Sequence, residues 1–118
     1  MVPTIEINGR VYPVRFSVRA AITCAKERGS IDKLLFGAGD EAANMDNSVY
    51  VLHQMLLAGK AWCEQEGEDI ECPAVPTLEQ LQDMISFGWL ARNRARLGEI
   101  VLDEQETEIG AEPPDEKN

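Results

Sequence analysis

The chain has 118 residues, 44% hydrophobic and 27% charged, which is enough for one compact domain whose core needs neither disulfides nor a metal. Its 21 acidic residues against 11 basic ones give a formal net charge of -10, which repels a phosphate backbone or an anionic membrane surface, so neither nucleic acid nor membrane is an expected partner. No apolar run approaches the roughly 20 residues that span a bilayer, and the opening Met1-Val2-Pro3-Thr4-Ile5-Glu6 lacks the basic segment and apolar stretch of a secretion signal, so the cytosol is the expected address.

Thr4-Ile5-Glu6-Ile7 alternates in polarity, Asn8-Gly9 supplies the two positive-φ positions of a type I′ turn, and Val11-Tyr12-Pro13-Val14 resumes an extended run. A β-hairpin over 3–15 follows. Pro13 has no amide donor, so the second strand is expected to lie at an edge or to end there, and a hairpin alone is too weak to stand without helices or a neighbouring strand against it. Ser17 is placed to cap a helix over about 18–28, which gathers Val18, Ala21, Ile22 and Ala25 on one apolar face before Gly29 stops it. Ser30 caps a short second helix, 31–36, ended by Gly37-Ala38-Gly39.

Asn44 or Asp46 opens the longest amphipathic pattern, a helix over about 46–64 in which Val49, Leu52, Leu56, Gly59 and Cys63 recur at three- and four-residue steps. Cys72-Pro73-Ala74-Val75-Pro76 is a stiff connection. Thr77-Leu78-Glu79-Gln80 has the form of a capping box and starts a helix, with Leu78, Leu81 and Ile85 inward. Leu90, Leu97 and Val101 continue a helical pattern, so 78–101 is either one bent helix or two separated near 87–89. The fold class is therefore α+β: an N-terminal hairpin, then a mostly α-helical bundle of four to five helices within a single domain, 1–102. From Asp103 to Asn118 seven acids and one lysine give a net charge of -6, leaving -4 for the body, and this composition predicts a disordered acidic tail.

No set of residues here has the spacing of a catalytic site, and no catalytic, metal or cofactor assignment is made. Cys24, Cys63 and Cys72 are odd in number and form no CxxC pair; Cys24, among Ala and Ile, reads as a small core residue. His53 is the only histidine and would need partners from elsewhere in the fold, while Cys63 and Cys72 beside it match no tetrahedral zinc pattern. The candidates for function are the large aromatics Tyr50, Trp62, Phe87 and Trp89, because such side chains anchor protein interfaces when the core does not use them. Arg92, Arg94 and Arg96 form the one local basic cluster, and of these Arg92 and Arg96 join the partner-binding candidates.

The run Ile5-Glu6-Ile7-Asn8-Gly9-Arg10-Val11-Tyr12-Pro13-Val14-Arg15-Phe16, with its helix ending near Lys26-Glu27-Arg28-Gly29-Ser30, resembles the start of the tail assembly chaperones of long-tailed phages and prophages. The likeness continues loosely through Tyr50-Val51-Leu52-His53-Gln54-Met55-Leu56-Leu57-Ala58-Gly59 and the capped helix at Thr77, over about 100 residues in all. It implies a non-enzymatic protein of the host bacterial cytoplasm. Such a protein binds the tape measure protein during tail assembly, helps recruit tail tube protein, works alone or as a homo-oligomer, and is absent from the mature virion. The alternative is a small structural or adaptor protein of a phage tail or head-completion module. The resemblance also implies a longer product made by ribosomal frameshifting, and Glu116-Lys117-Asn118 is compatible with the slippery codons such an event uses.

Overall fold

The structure, a computed structural model, describes residues 2–37, 40–66 and 72–110; for residues 35, 36 and 104–110 it describes the backbone only. Two strands, β1 (Thr4–Ile7) and β2 (Arg10–Pro13), precede five helices: α1 (Val18–Arg28), α2 (Ile31–Phe36), α3 (Glu41–Glu66), α4 (Leu78–Met84) and α5 (Phe87–Gly110). The expected α+β class, with a hairpin ahead of a helical body, is what the chain adopts.

Asn8 and Gly9 take φ values of 52° and 82°, as a two-residue I′ turn requires, and they set Ile7 opposite Arg10 and Ile5 opposite Tyr12. Alternation then buries Ile5, Ile7 and Tyr12 on one face and exposes Thr4, Glu6 and Val11 on the other. In an antiparallel pair, residues alternate between bonding across the ladder and pointing their backbone groups outward. The bond from Val14 N to Pro3 O, 2.9 Å, fixes the phase: the pair Pro3–Val14 bonds across, and Thr4–Pro13 faces out. Pro13 therefore costs the ladder nothing, and β2 ends there.

Helix α3 is the axis of the molecule. Ser48 to Leu52, Met55, Leu56, Gly59 and Cys63 are all buried, so its middle is enclosed on most sides by β2, α1, α2, α4 and α5. The hairpin crosses it at Gly59. A Cβ there would collide with Pro13 O and lie 2.8 Å from Val14 Cα, so the strand end can sit on the helix only because position 59 has no side chain. The bond from Arg15 N to Met55 O, 3.2 Å, continues the crossing one turn earlier.

Two readings of the sequence need correction. Helix α3 begins at Glu41, not near residue 46: Asp40 accepts from Ala42 N at 3.2 Å and serves as the cap. The residues read as caps, Asn44 and Asp46, lie inside the helix, and Asp46 carries tertiary bonds there. Asp46 receives Arg28 of α1 at 2.6 Å and Gln82 of α4 at 2.9 Å, and Asn47 receives Arg28 at 3.1 Å. The second correction concerns α1, which turns Ala20 and Cys24 inward and leaves Val18 and Ile22 66% and 53% exposed. The stripes through 18/22 and 20/24 are about 160° apart on a helical wheel, and the smaller pair lets α1 lie close to α3.

The caps predicted at Ser17, Ser30 and Thr77 are all made: Ser17 Oγ accepts from Ala20 N, Ser30 Oγ from Lys33 N, and Thr77 and Gln80 bond reciprocally at 3.1 and 3.0 Å. The segment 78–101 is two helices, parted at Ile85-Ser86, just before the 87–89 region where a break was expected. Ser86 Oγ accepts from Trp89 N at 3.0 Å and starts α5 anew. Leu90, Leu97, Ile100 and Val101 bury the inner face of α5. Its backbone stays helical to Gly110, so the acidic stretch expected to be disordered from Asp103 begins within α5; residues 111–118 lie outside the described residues.

Candidate functional site: an open apolar groove

With α1 packed through Ala20 and Cys24, its start and the C-terminal half of α3 diverge and leave a groove of about 600 Å³ open to solvent. Val18 forms one wall; Leu57, Ala58, Ala61 and Trp62 form the other. Leu57 is 42% exposed. Leu57 and Ala61 lie roughly 150–165° around the helix from the core stripe of Leu52, Met55, Gly59 and Cys63, with Ala58 and Trp62 between the two, so the helix carries apolar residues on a second side that the described residues leave open. Arg15 and Arg19 line the groove, the guanidinium of Arg15 lying 5.9 Å from the centre of the Trp62 ring. Of the six partner-binding candidates, only Trp62 falls here.

Phe87 belongs to a second, smaller notch of about 310 Å³ between α3, α4 and the start of α5, together with Met45, Val49, Ile85 and Leu90. The ring is 66% exposed at the first position of α5, where Ser86 holds the helix end in place.

The structure puts Trp89 and Arg96 to another use. Two turns apart on α5, they lie along the outer edge of β1, where Thr4 and Glu6 point their carbonyls outward. Trp89 Nε1 donates to Glu6 O at 3.1 Å and Arg96 Nη2 to Thr4 O at 3.1 Å. Asn8 Nδ2 donates to Met84 O at 3.3 Å and fixes the turn beside α4. The β1 edge, a ready template for another strand, is thus occupied by side chains of its own chain. Arg92 lines a shallow polar hollow next to these bonds, with Thr4, Glu6 and Val11. Tyr50 is buried, its ring 4.2 Å from the Arg28 guanidinium that also binds Asp46 and Asn47, so it belongs to the junction of α1 and α3.

Cys24 and His53 are both engaged within the fold. Burial pushes the Cys24 thiol up to about 11, so it stays protonated and unreactive at neutral pH. His53 Nε2 lies 3.0 Å from Pro76 O and so carries the proton in the neutral ring, pinning the proline-rich connection to α3. Burial lowers its pKa below the ordinary value, against the opposing pull of that bond. Among the described residues, no three His, Cys, Asp or Glu side chains lie close enough together to hold a metal ion, and no helix is long and apolar enough to cross a membrane.

The groove is what sequence reasoning missed. Its signal was the second apolar stripe on α3, through Leu57 and Ala61, and the surplus of apolar faces on α1. Comparison of the chain with protein-family models, with curated proteins and with solved structures finds no match.

Proposed function

We propose that the chain is a tail assembly chaperone of a phage or prophage, which binds the tape measure protein during tail assembly and helps recruit tail tube subunits. The observation that supports this reading best is the open apolar groove between α1 and α3, with Val18, Leu57 and Trp62 on its walls. A helix is the occupant such a groove favours, because it offers an apolar face while satisfying its own backbone hydrogen bonds. A long, helix-rich client with many amphipathic segments needs that kind of cover until its neighbours arrive, since exposed apolar helix faces aggregate. The groove is open to solvent, which suits reversible binding, and the notch at Phe87 offers the client a second apolar contact. The sealed β1 edge agrees with a protein that binds by its helices rather than by adding strands.

In this reading the chaperone works in the host bacterial cytoplasm and leaves before the virion is complete. Mass spectrometry of infected or induced cells and of purified particles tests that course. The chain is expected in the cell lysate and absent from the particles. Its recovery from particles in fixed stoichiometry with tail or head proteins would instead make it a structural adaptor.

A further inference from the structure

Helix α5 buries Leu90, Leu97, Ile100 and Val101 and turns the opposite side to solvent. Two neighbouring stripes run along that outer side. Arg92, Arg96, Glu99 and Asp103 follow one another at steps of four, three and four residues, in a band about 60° wide on the helical wheel, and all four are exposed. Beside them lie Ala91, Ala95 and Leu102, also exposed, with the large apolar side chain of Leu102 left 40% open. Arg94 belongs to neither stripe: it faces α2, where it lines a small cavity with Leu34 and Ser48.

The order of the charges does nothing for α5 on its own. Two cations lie four residues apart in its first half and two carboxylates four residues apart further on, a spacing at which like charges repel. The helix dipole favours the reverse order, with acids early and cations late. Among the described residues the side chains of Arg92, Glu99 and Asp103 make no ion pair and no hydrogen bond, whereas Lys60 and Glu64 of α3 pair within their own helix at 3.6 Å. Arg96 gives Nη2 to Thr4 O, and its guanidinium keeps other donors.

We propose that α5 pairs antiparallel with α5 of a second copy of this chain, in a two-fold symmetric dimer. With the axis crossing near residues 97 and 98, Arg92 of one copy meets Asp103 of the other and Arg96 meets Glu99. Symmetry repeats both pairs, so every charge of the stripe finds its opposite. Leu102 then packs on the small residues Ala91 and Ala95 of the other copy. A parallel pair would set cation against cation and acid against acid. The contact from Ala91 to Asp103 is only about 18 Å long, and a net charge of -10 on each copy opposes association. The dimer therefore belongs to the weak, reversible class, with a Kd on the order of 10 to 100 µM. This inference goes beyond the chaperone reading and does not rest on it.

Sedimentation equilibrium of the full chain across that concentration range tests the proposal. The wild type is expected to pass from monomer to dimer. Arg92→Glu and Asp103→Arg each set like charges together twice, and each should weaken the dimer at least tenfold. Mixed in equal amounts, the two variants should recover a dimer, because the new carboxylate of one meets the new guanidinium of the other. Arg94→Glu makes the same change in net charge as Arg92→Glu but off the stripe, and should associate as the wild type does; circular dichroism verifies that each variant is folded. A wild type that stays monomeric throughout, a dimer that Arg92→Glu leaves intact, a mixture that does not recover, or an equal loss in Arg94→Glu would overturn the proposal. A monomeric wild type that still keeps its client soluble would strike this inference and leave the chaperone reading standing.

Discussion

A methyl group at Gly59 would have no room: the atoms it meets, Pro13 O and Val14 Cα, are backbone, and no flexible side chain can turn away. Gly59→Ala is expected to cost about 2–3 kcal/mol or more, by prising the hairpin off α3. Gly98 is the control, with a helical backbone and no atom within 4 Å of where a Cβ would sit, so Gly98→Ala is neutral or stabilising by up to about 1 kcal/mol. Urea denaturation of both variants checks this, and equal midpoints would contradict the crossing described. His53 gives a second residue-scale prediction. Its folded pKa is lowered by burial, so the unfolded chain binds the proton more readily. Stability is full above the unfolded value of about 6.5 and declines as pH falls through it toward the folded value. Thermal unfolding between about pH 7.5 and 5.5 should show that decline in the wild type and a smaller one in His53→Gln; a wild type that gains stability on acidification would contradict the assignment.

At the scale of elements, the hairpin is held from two sides, by Gly59 beneath and by Trp89 and Arg96 along its edge. Trp89→Phe keeps a ring but loses the bond to Glu6 O, and Arg96→Ala loses the bond to Thr4 O. Each should cost about 1 kcal/mol or less, since both bonds are solvent-accessible, and together they should speed amide exchange across 4–13 in hydrogen-exchange mass spectrometry while leaving α3 protected. Unchanged exchange in the hairpin would show that the edge is not held this way. The same elements mark what the sequence made legible. The hairpin with its register, the caps at Ser17, Ser30 and Thr77, and the core stripe of α3 each follow from local chemistry and were readable. The start of α3 was not, because Asn44 and Asp46 resemble caps yet lie inside the helix, where Asp46 serves Arg28 and Gln82, partners 18 and 36 residues away. Nor was the buried face of α1: Val18 and Ile22 outweigh Ala20 and Cys24 in hydrophobicity, but close packing on α3 selects the smaller pair. The aromatic candidates divided for the same reason. Residue type marked Tyr50, Trp62, Phe87 and Trp89 alike, and only tertiary placement separates a groove wall and an exposed ring from a buried junction and an edge seal.

Among the described residues, the large apolar side chains left open lie on α1, the outer side of α3 and the start of α5, with Val11 on β2 and Leu102 further along α5, while the polar and charged groups with tertiary roles hold the hairpin and the α1–α3–α4 junction together. The proposed chaperone role asks the groove to cover a helical client, and one measurement bears on it most directly: co-expression of the chain with the tape measure protein that this role assigns to it, reading the client's solubility and its co-purification. The client should be soluble and retained with the wild-type chain, and should return to the insoluble fraction with Leu57→Glu, a half-exposed position, once circular dichroism has verified that the variant is folded. A client that is soluble without the chain, or that stays insoluble and unbound in its presence, would contradict the account.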